Sequence, residues 1–511
     1  MTTSAQGPAG SGPEVRTAAG ALRGAREGGV AVFRGVPFAE PPVGALRFAA
    51  PVPARSWDGV RPAVAYGPPP PQTGALGMDG LTPDGAGRDW LTVNVWTPEP
   101  HPGAGLPVLV WLYGGAFVVG MSGLPEQDGA RLARDGGVVV VTFNYRVGME
   151  GFAHIEGAPA NRGLLDQVAA LEWVRDSIRA FGGDPGRVTV FGQSAGAGSI
   201  AALMAMPRAA GLFRRAVVQS MPNTFFTPAL AAGLCAAFAA ELGLRPTVAD
   251  LAAVDPRRLP AVVDAVMAKL PLSAERWGRA GRAPIPLAPV VDGDVLPAAP
   301  WAALAAGAAR DVDLLTGHTR DEQRLLSLLD GTLGRVTADQ AEAALGAFAP
   351  GPDGARRYRD AFPAAGPEEL YELVRSDWLF RMPTLHLATA HTTGGGRAHL
   401  YELTWPAPGM GGTLGACHGL DIPLVFGTMG RGRTAALFDG HPSPAAEELS
   451  TAMRTAWTSF ATHGDPGWPA YDPEHRLTRL FGSQPAVAAY PEEASRRLWE
   501  EHAFTAMPLP A

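Results

Sequence analysis

A serine becomes a nucleophile only when its hydroxyl is held clear of the backbone beside a base, and one segment of this 511-residue chain has the pattern for that. Val188-Thr189-Val190-Phe191 is an apolar, β-branched run. Gly192-Gln193-Ser194-Ala195-Gly196 follows, and then a small-residue run through Ala201, Leu203 and Met204 with helical character. The order strand, Gly-x-Ser-x-Gly, helix puts Ser194 at a sharp apex, with glycines on either side that let strand and helix pass closely. The free N–H groups of the new helix, that of Ala195 first, bring the positive end of its dipole to the same spot. Among 64 glycines the pentapeptide alone would carry little weight. The strand before it and the helix after it make it a candidate nucleophile elbow.

A second segment supplies what an acyl-transfer serine needs. Pro107 to Leu112 reads as a buried strand that runs into Tyr113-Gly114-Gly115-Ala116-Phe117. Small consecutive residues after a strand leave backbone N–H groups uncovered, and such groups bind the oxyanion of a tetrahedral intermediate. Standing alone, the segment reads as a Gly-rich turn. Ahead of a nucleophile elbow it reads as an oxyanion hole, with Gly115, Ala116 and Ala195 as donors. Phe117 is expected to line the pocket and favour an apolar acyl or alcohol group.

The elements that must position these residues are legible from periodicity. Strand-like runs at Val108–Leu112, Val138–Asn144, Val188–Phe191 and Ala216–Gln219 alternate with helical patterns. Between two of them, Leu164, Val168, Leu171 and Ile178 keep helical spacing, while Asp166, Glu172, Arg175 and Arg179 fall off that face. Alternation of this kind implies an α/β fold, a mostly parallel central sheet with helices on both faces. Residues from about 226 to 285 and from about 326 to 395 are rich in Ala, Leu and Arg and helical in pattern. Thr73 to Gly87 is turn-rich and reads as a mobile rim loop.

Ordered motifs along nearly the whole length carry a resemblance. Phe33-Arg34-Gly35-Val36-Pro37-Phe38-Ala39-Glu40-Pro41-Pro42-Val43-Gly44 is followed by Leu46-Arg47-Phe48. Leu91-Thr92-Val93-Asn94-Val95-Trp96, Asn144-Tyr145-Arg146-Val147-Gly148 and Gly163-Leu164-Leu165-Asp166-Gln167 come next, then Phe181-Gly182-Gly183-Asp184-Pro185. Trp457, Phe460-Ala461 and Gly464-Asp465-Pro466 stand late in the chain. In these the chain resembles the type-B carboxylesterase family, which also contains the cholinesterases, and it looks like a bacterial member. Arginine supplies all but one of its 42 basic residues, Lys269 being the exception, which with the abundance of Ala, Gly and Pro suggests a GC-rich coding sequence.

The resemblance implies the α/β-hydrolase fold as a single domain over 1–511, with the two helical segments as insertions roofing the active site. It also implies a Ser-His-Glu triad. The family's acid lies in an Asp-Glu pair after a strand end, here Thr316-Gly317-His318-Thr319-Arg320-Asp321-Glu322, which makes Glu322 the acid. Asp321 is its local competitor and reads better as a capping aspartate. The family's base precedes a glycine, here Cys417-His418-Gly419-Leu420-Asp421, which makes His418 the base. The chain order Ser194, Glu322, His418 is that of an α/β-hydrolase. Of the 11 histidines, His386 and His399 sit in apolar runs and read as structural. His101, His441, His463, His475 and His502 lie among polar or turn residues and read as solvated.

The implied activity is that of a serine carboxylesterase acting on small to medium carboxylic esters through an acyl-enzyme. An acyl transferase, lactonase or amidase on the same triad is the alternative, and a non-catalytic scaffold of cholinesterase-like type is a third class, disfavoured by the intact triad. No cofactor is implied, and no metal-ligand spacing occurs. A net charge of −7 gives no reason to expect nucleic acid as a partner. No apolar run is long enough to span a membrane. The expected partner is a small-molecule ester, and the expected state a monomer or weak homo-oligomer. The start of the chain lacks the basic-then-apolar pattern of a secretory signal, and cysteines are few, so a cytoplasmic location is expected.

The chain also departs from the pattern of the family it resembles. The two cysteines of the family's early disulfide loop are replaced by Pro70 and Trp90, leaving only Cys235 and Cys417. Between Gln72 and Arg88 there is no Trp, Tyr or Phe, which argues against the cation–π trap that cholinesterases carry there. Gln193 stands where the family has glutamate, and Glu150 where it has an apolar residue. A buried carboxylate without a partner is costly. One reading is therefore that Glu150 supplies the acidic group Gln193 lacks, in a hydrogen-bonded network with Gln193 and Asp421 behind the triad. In the other, Glu150 reaches solvent and Gln193 bonds only backbone.

Overall fold

The buried apolar runs assemble as parallel-sheet strands do, edge to edge with helices on both faces. This computed structural model describes residues 12–73 and 87–510, so most of the Thr73–Gly87 loop and of the N-terminal segment lies outside the described residues. In chain order the first strands are β1 Glu14–Arg16, β2 Ala21–Arg23, β3 Ala25–Glu27, β4 Val30–Pro37, β5 Val60–Pro62, β6 Thr92–Thr97 and β7 Leu106–Leu112. They are followed by β8 Val139–Phe143, β9 Gly183–Gln193, β10 Arg215–Gln219, β11 Asp313–Thr319, β12 Ala398–Leu403, β13 Leu477–Phe481 and β14 Ala486–Ala489. Strands β1, β2 and β5 make a small N-terminal sheet. The other eleven form one mixed sheet in the order β14-β13-β12-β11-β10-β9-β7-β8-β6-β4-β3.

The centre of that sheet, from β8 through β7, β9, β10, β11 and β12 to β13, is parallel, and its edges are antiparallel. This division follows from burial. Central strands such as β7 and β8 are apolar on both faces, so each must be covered twice, whereas β14 is exposed along most of its length. Four early helices, α1 Ala130–Gly136, α2 Gly148–Phe152, α3 Arg162–Ser177 and α4 Ala195–Ala205, connect or cover these strands. The two helical segments expected from composition are helical. Helices Pro228–Glu241, Leu259–Lys269 and Ala274–Arg282 occupy the first, and Ala338–Phe348, Gly354–Ala361, Pro367–Ser376 and Met382–Thr393 the second.

What positions the site is the row of C-terminal strand ends. Strands β7, β9, β10 and β11 are neighbours and parallel, so the turns that leave them gather along one edge. The Gly114–Phe117 segment follows β7, Ser194 follows β9, Ser220 follows β10 and Glu322 follows β11.

Candidate active site

Ser194 sits between the last residue of β9 and the first of α4 with φ 56° and ψ −126°, a conformation that costs a non-glycine residue of order 1–3 kcal/mol. Its N–H donates to the Gln219 carbonyl at 3.0 Å, which ties the apex to the end of β10. The two motif glycines are sterically required. A Cβ on Gly192 would stand 2.7 Å from the Leu112 carbonyl oxygen, and one on Gly196 would stand 2.0 Å from that same atom. Any larger residue would push α4 off β7 and lower the apex. Every residue of α4 is buried, whereas Ser194 keeps some exposure.

The turn after β7 is also strained. Gly115, Ala116 and Phe117 take φ values of 127°, 54° and 61°. The turn is pinned by Val118 and Val119, whose N–H groups both donate to the Gly115 carbonyl at 3.0 Å, and by Gly148, whose N–H donates to the Phe117 carbonyl at 2.7 Å. Among the described residues no acceptor takes the N–H of Gly115 or Ala116. The Ala195 N–H, in the first turn of α4, has no intrahelical partner either. Ala116 is exposed, but Phe117 is not. The Phe117 ring is 1% exposed, lies 4.7 Å from that of Phe152 and backs onto Gly198 of α4. The expectation that Phe117 lines the pocket is thus corrected: consecutive positive φ values turn its ring into the core, and Ala116 is the side chain presented outward.

Glu322 and His418, far apart in sequence, meet. The Nδ1 atom of His418 is 2.5 Å from Glu322 Oε2. The other carboxylate oxygen accepts from the Thr319 N–H at 2.9 Å. Burial works against charge on Glu322, but the charge and hydrogen bond of His418 outweigh it and hold the carboxyl below its ordinary value. Asp321 turns elsewhere. Its carboxylate accepts from the Ala416 N–H at 2.8 Å and pairs with Arg320 and Arg324, so it anchors the loop that carries His418. The ring of Phe380, from the second helical segment, packs on His418 with centroids 4.2 Å apart. The amide nitrogen of Gln193 lies 3.0 Å from His418 Nε2 and 3.4 Å from Nδ1. No hydrogen bond of the Ser194 hydroxyl occurs among the described residues, and in unliganded hydrolases the serine–histidine contact often tightens only with substrate.

Behind the pair lies Asp421, fully buried. One carboxylate oxygen accepts from Gln219 Nε2 at 2.7 Å and from the Tyr401 hydroxyl at 3.2 Å, and Trp457 Nε1 donates to Gln219 Oε1 at 3.1 Å, which fixes the way that amide points. Burial pushes the Asp421 carboxyl up to about 6, with Gln219 opposing and the Glu322 charge reinforcing the rise. The sequence marks Trp457 as a motif residue and Gln219 as a strand end but assigns neither of them, nor Tyr401 or Phe380, to the site, since nothing in a lone aromatic or amide residue marks it as standing beside one.

Glu150 corrects both readings of the sequence. It is 3% exposed, so it does not reach solvent, and it makes no hydrogen bond to Gln193 or Asp421. Its Oε1 instead accepts from Arg47 Nε at 2.9 Å and Nη2 at 2.7 Å. Arg47 also donates to the carbonyls of Ala252, at 3.0 Å, and Val254. A guanidinium buried in the same place is a stronger attraction for a carboxylate than a neutral amide elsewhere.

Both cysteines are buried and unpaired, and burial pushes the Cys417 thiol up to about 12 and that of Cys235 up to about 11. Neither is a thiolate near neutral pH. Among the other histidines, burial lowers His386 to about 4 and also depresses His399, in keeping with structural roles. His502, expected to be solvated, is half-buried between Trp499 and Phe504. Among the described residues no helix is long and apolar enough to cross a membrane, and no group of three or more His, Cys, Asp or Glu side chains is arranged to hold a metal ion.

Known proteins similar in sequence and fold point to one family. The model of the carboxylesterase family matches residues 11–343 and 358–499. The para-nitrobenzyl esterase of Bacillus subtilis (strain 168) is 37% identical over 494 residues, covering 94% of this chain and 97% of that protein. The fumonisin B1 esterase of Sphingopyxis macrogoltabida is 34% identical over 487 residues, covering 92% and 86%. Among solved structures, a carboxylesterase of Geobacillus stearothermophilus superimposes with a TM-score of 0.83 at 34% identity, covering 95% of this chain and 99% of that one.

Proposed function

The chain belongs to the carboxylesterase family and is a serine carboxylesterase, a carboxylic ester hydrolase, and on that premise we propose that Ser194, His418 and Glu322 are its triad. His418 takes the Ser194 proton at Nε2 as the hydroxyl attacks the ester carbonyl, and returns it to the departing alcohol. Glu322 fixes the proton of the imidazole on Nδ1 and balances the imidazolium while it exists. The N–H groups of Gly115, Ala116 and Ala195 receive the oxyanion, and water then resolves the acyl-enzyme by the same steps in reverse. The 2.5 Å contact between His418 and Glu322, beside the residue that precedes Ser194, carries this reading.

The substrates we propose are small to medium carboxylic esters, and the para-nitrobenzyl esterase relative supports including arylalkyl alcohols. Hydrolysis is favoured over transfer to another acceptor by the esterase relatives. A monomer or weak homo-oligomer in the cytoplasm is proposed alongside, with the two unpaired buried cysteines in support. The test is a panel of p-nitrophenyl and bulkier esters, with alcohol and amine acceptors present. Ser194→Ala should lose about 10⁴-fold or more in turnover. Phosphonate treatment should place its adduct on the Ser194 peptide, and Glu322→Gln should be severely impaired while Asp321→Asn stays near the parent. An adduct on Cys417 or Cys235, or the reverse ranking of the two acid variants, would overturn the assignment.

A further inference from the structure

The Gln193 amide nitrogen stands nearly equidistant from the two ring nitrogens of His418, at 3.0 and 3.4 Å. A donor seated on the in-plane lone pair of Nε2 would be far from Nδ1, because that lone pair points away from the ring on the side opposite Nδ1. Near equidistance at these distances therefore places the amide over a face of the imidazole, since in the ring plane it would overlap Cε1. Phe380 packs against the same ring, its plane inclined 31° to that of the imidazole. With Nδ1 already held by Glu322, the contacts of Gln193 and Phe380 fix the ring plane and leave the Nε2 lone pair clear for the serine.

This contact has an electrostatic sign. The face of the imidazole gives up its electron-rich π character and becomes cationic when the ring is protonated. An amide N–H there presents a positive dipole end to the imidazolium, whereas a carboxylate there would attract it. We infer that Gln193 is a positioning residue that holds the His418 ring against its face and disfavours the protonated imidazole, so that the base stays available at lower pH than a glutamate at position 193 would allow. This rests on His418 being the base.

The other ionisable groups around the ring are accounted for. Glu322 is bonded to Nδ1. Asp421, in the helix that follows His418, feels the charge of both Glu322 and His418. Cys417 is neutral. Asp321, in the loop beside Cys417, is paired with Arg320 and Arg324. His318 and Arg381 stand behind Glu322, His318 lowered by burial to about 4. None of these except Glu322 makes a hydrogen bond to the imidazole, so Gln193 is the group whose charge can be changed at the ring without breaking an ion pair.

The experiment measures the second-order rate of inactivation by a fluorophosphonate against pH for the parent, Gln193→Glu and Gln193→Met. A parallel NMR titration of the histidine Cε1 protons is assigned by loss of a resonance in His418→Asn. The acid limb should move up by about one pH unit or more in Gln193→Glu, as a carboxylate within contact distance of a cation requires, and by a smaller step in Gln193→Met, which only removes the dipole. The His418 resonance should move in the same order. Coincident acid limbs and coincident titrations in the parent and Gln193→Glu would overturn the inference. A parental rate profile in His418→Asn would instead overturn the triad, while the ring titration would still decide the role of Gln193.

Discussion

Removing the Glu150 carboxylate isolates the Arg47 guanidinium. Both side chains are at most 5% exposed, so Glu150→Leu leaves a charge that water cannot reach. Breaking a buried pair from one side costs about 3–5 kcal/mol, and because Arg47 keeps the carbonyls of Ala252 and Val254, the lower end applies, about 3 kcal/mol. For a chain of this length the unfolding entropy is such that about 1 kcal/mol corresponds to one degree in melting temperature, so a fall of about 3 °C is expected in differential scanning calorimetry. Catalysis should suffer with it. Helix α2, which carries Glu150, begins at Gly148, whose N–H holds the Phe117 carbonyl of the strained turn. Displacing that turn without deleting a donor should cost about tenfold in kcat, less than the 10²–10³ of a lost oxyanion donor. The coupling partner is what makes this decisive. Arg47→Met combined with Glu150→Leu replaces the pair by apolar groups and should recover most of the stability, whereas Gln193→Glu should rescue nothing. A silent Glu150→Leu, additivity with Arg47→Met, or rescue by Gln193→Glu would each refute the pairing argument.

Two further outcomes can be measured on the same protein. Asp421 has its carboxyl raised in the fold to about 6, so the fold favours its neutral form, a contribution present at low pH and lost as pH rises through 6. Asp421→Asn should therefore melt above the parent at pH 8, by about 2–3 kcal/mol, and match it below pH 4; a variant less stable at pH 8 would show that Gln219 and Tyr401 require the charge. Ala116 is the exposed member of the strained turn, with φ 54°. Ala116→Val should depress kcat/KM for esters of bulky alcohols at least about tenfold more than for p-nitrophenyl acetate, since a branched side chain both crowds the site and strains a left-handed backbone, and an equal loss on both would remove steric access as the cause.

The parts of the fold that could be read beforehand are those whose physics is local. Strands β7, β8, β9 and β10 were marked by continuous apolar, β-branched runs because each is buried on two faces, and α3 by the spacing of Leu164, Val168 and Leu171. Strand β9 nonetheless begins at Gly183, ahead of the expected Val188. Its first residues, Gly183-Asp184-Pro185-Gly186, have turn composition and enter the sheet only because Gly183 pairs with Leu106 across a register shift. Phe117 misled for a related reason. An aromatic residue after two small ones looks like a pocket wall, and only the succession of positive φ values at Ala116 and Phe117 reveals that the ring turns inward.

The site divides along the same line. Ser194 and its glycines were legible because a nucleophile elbow is a local covalent shape, and Glu322 and His418 because a family pattern marks their positions. Partners are not local. Gln193 and Glu150 are both polar departures from the family pattern, and sequence alone can join them into one network because it does not show which neighbour each one meets. The fold gives each a separate solution. The neutral amide of Gln193 needs no counter-charge, so it can lie against the imidazole of His418. The carboxylate of Glu150 does need one, and it finds Arg47, 103 residues away in sequence, which is itself buried and bonded to two carbonyls of the first helical segment. A carboxylate at 193 would face the base directly and an apolar residue at 150 would strand the arginine. The two substitutions therefore answer to different neighbours, one setting the charge beside the catalytic ring and the other tying three distant segments behind the oxyanion turn.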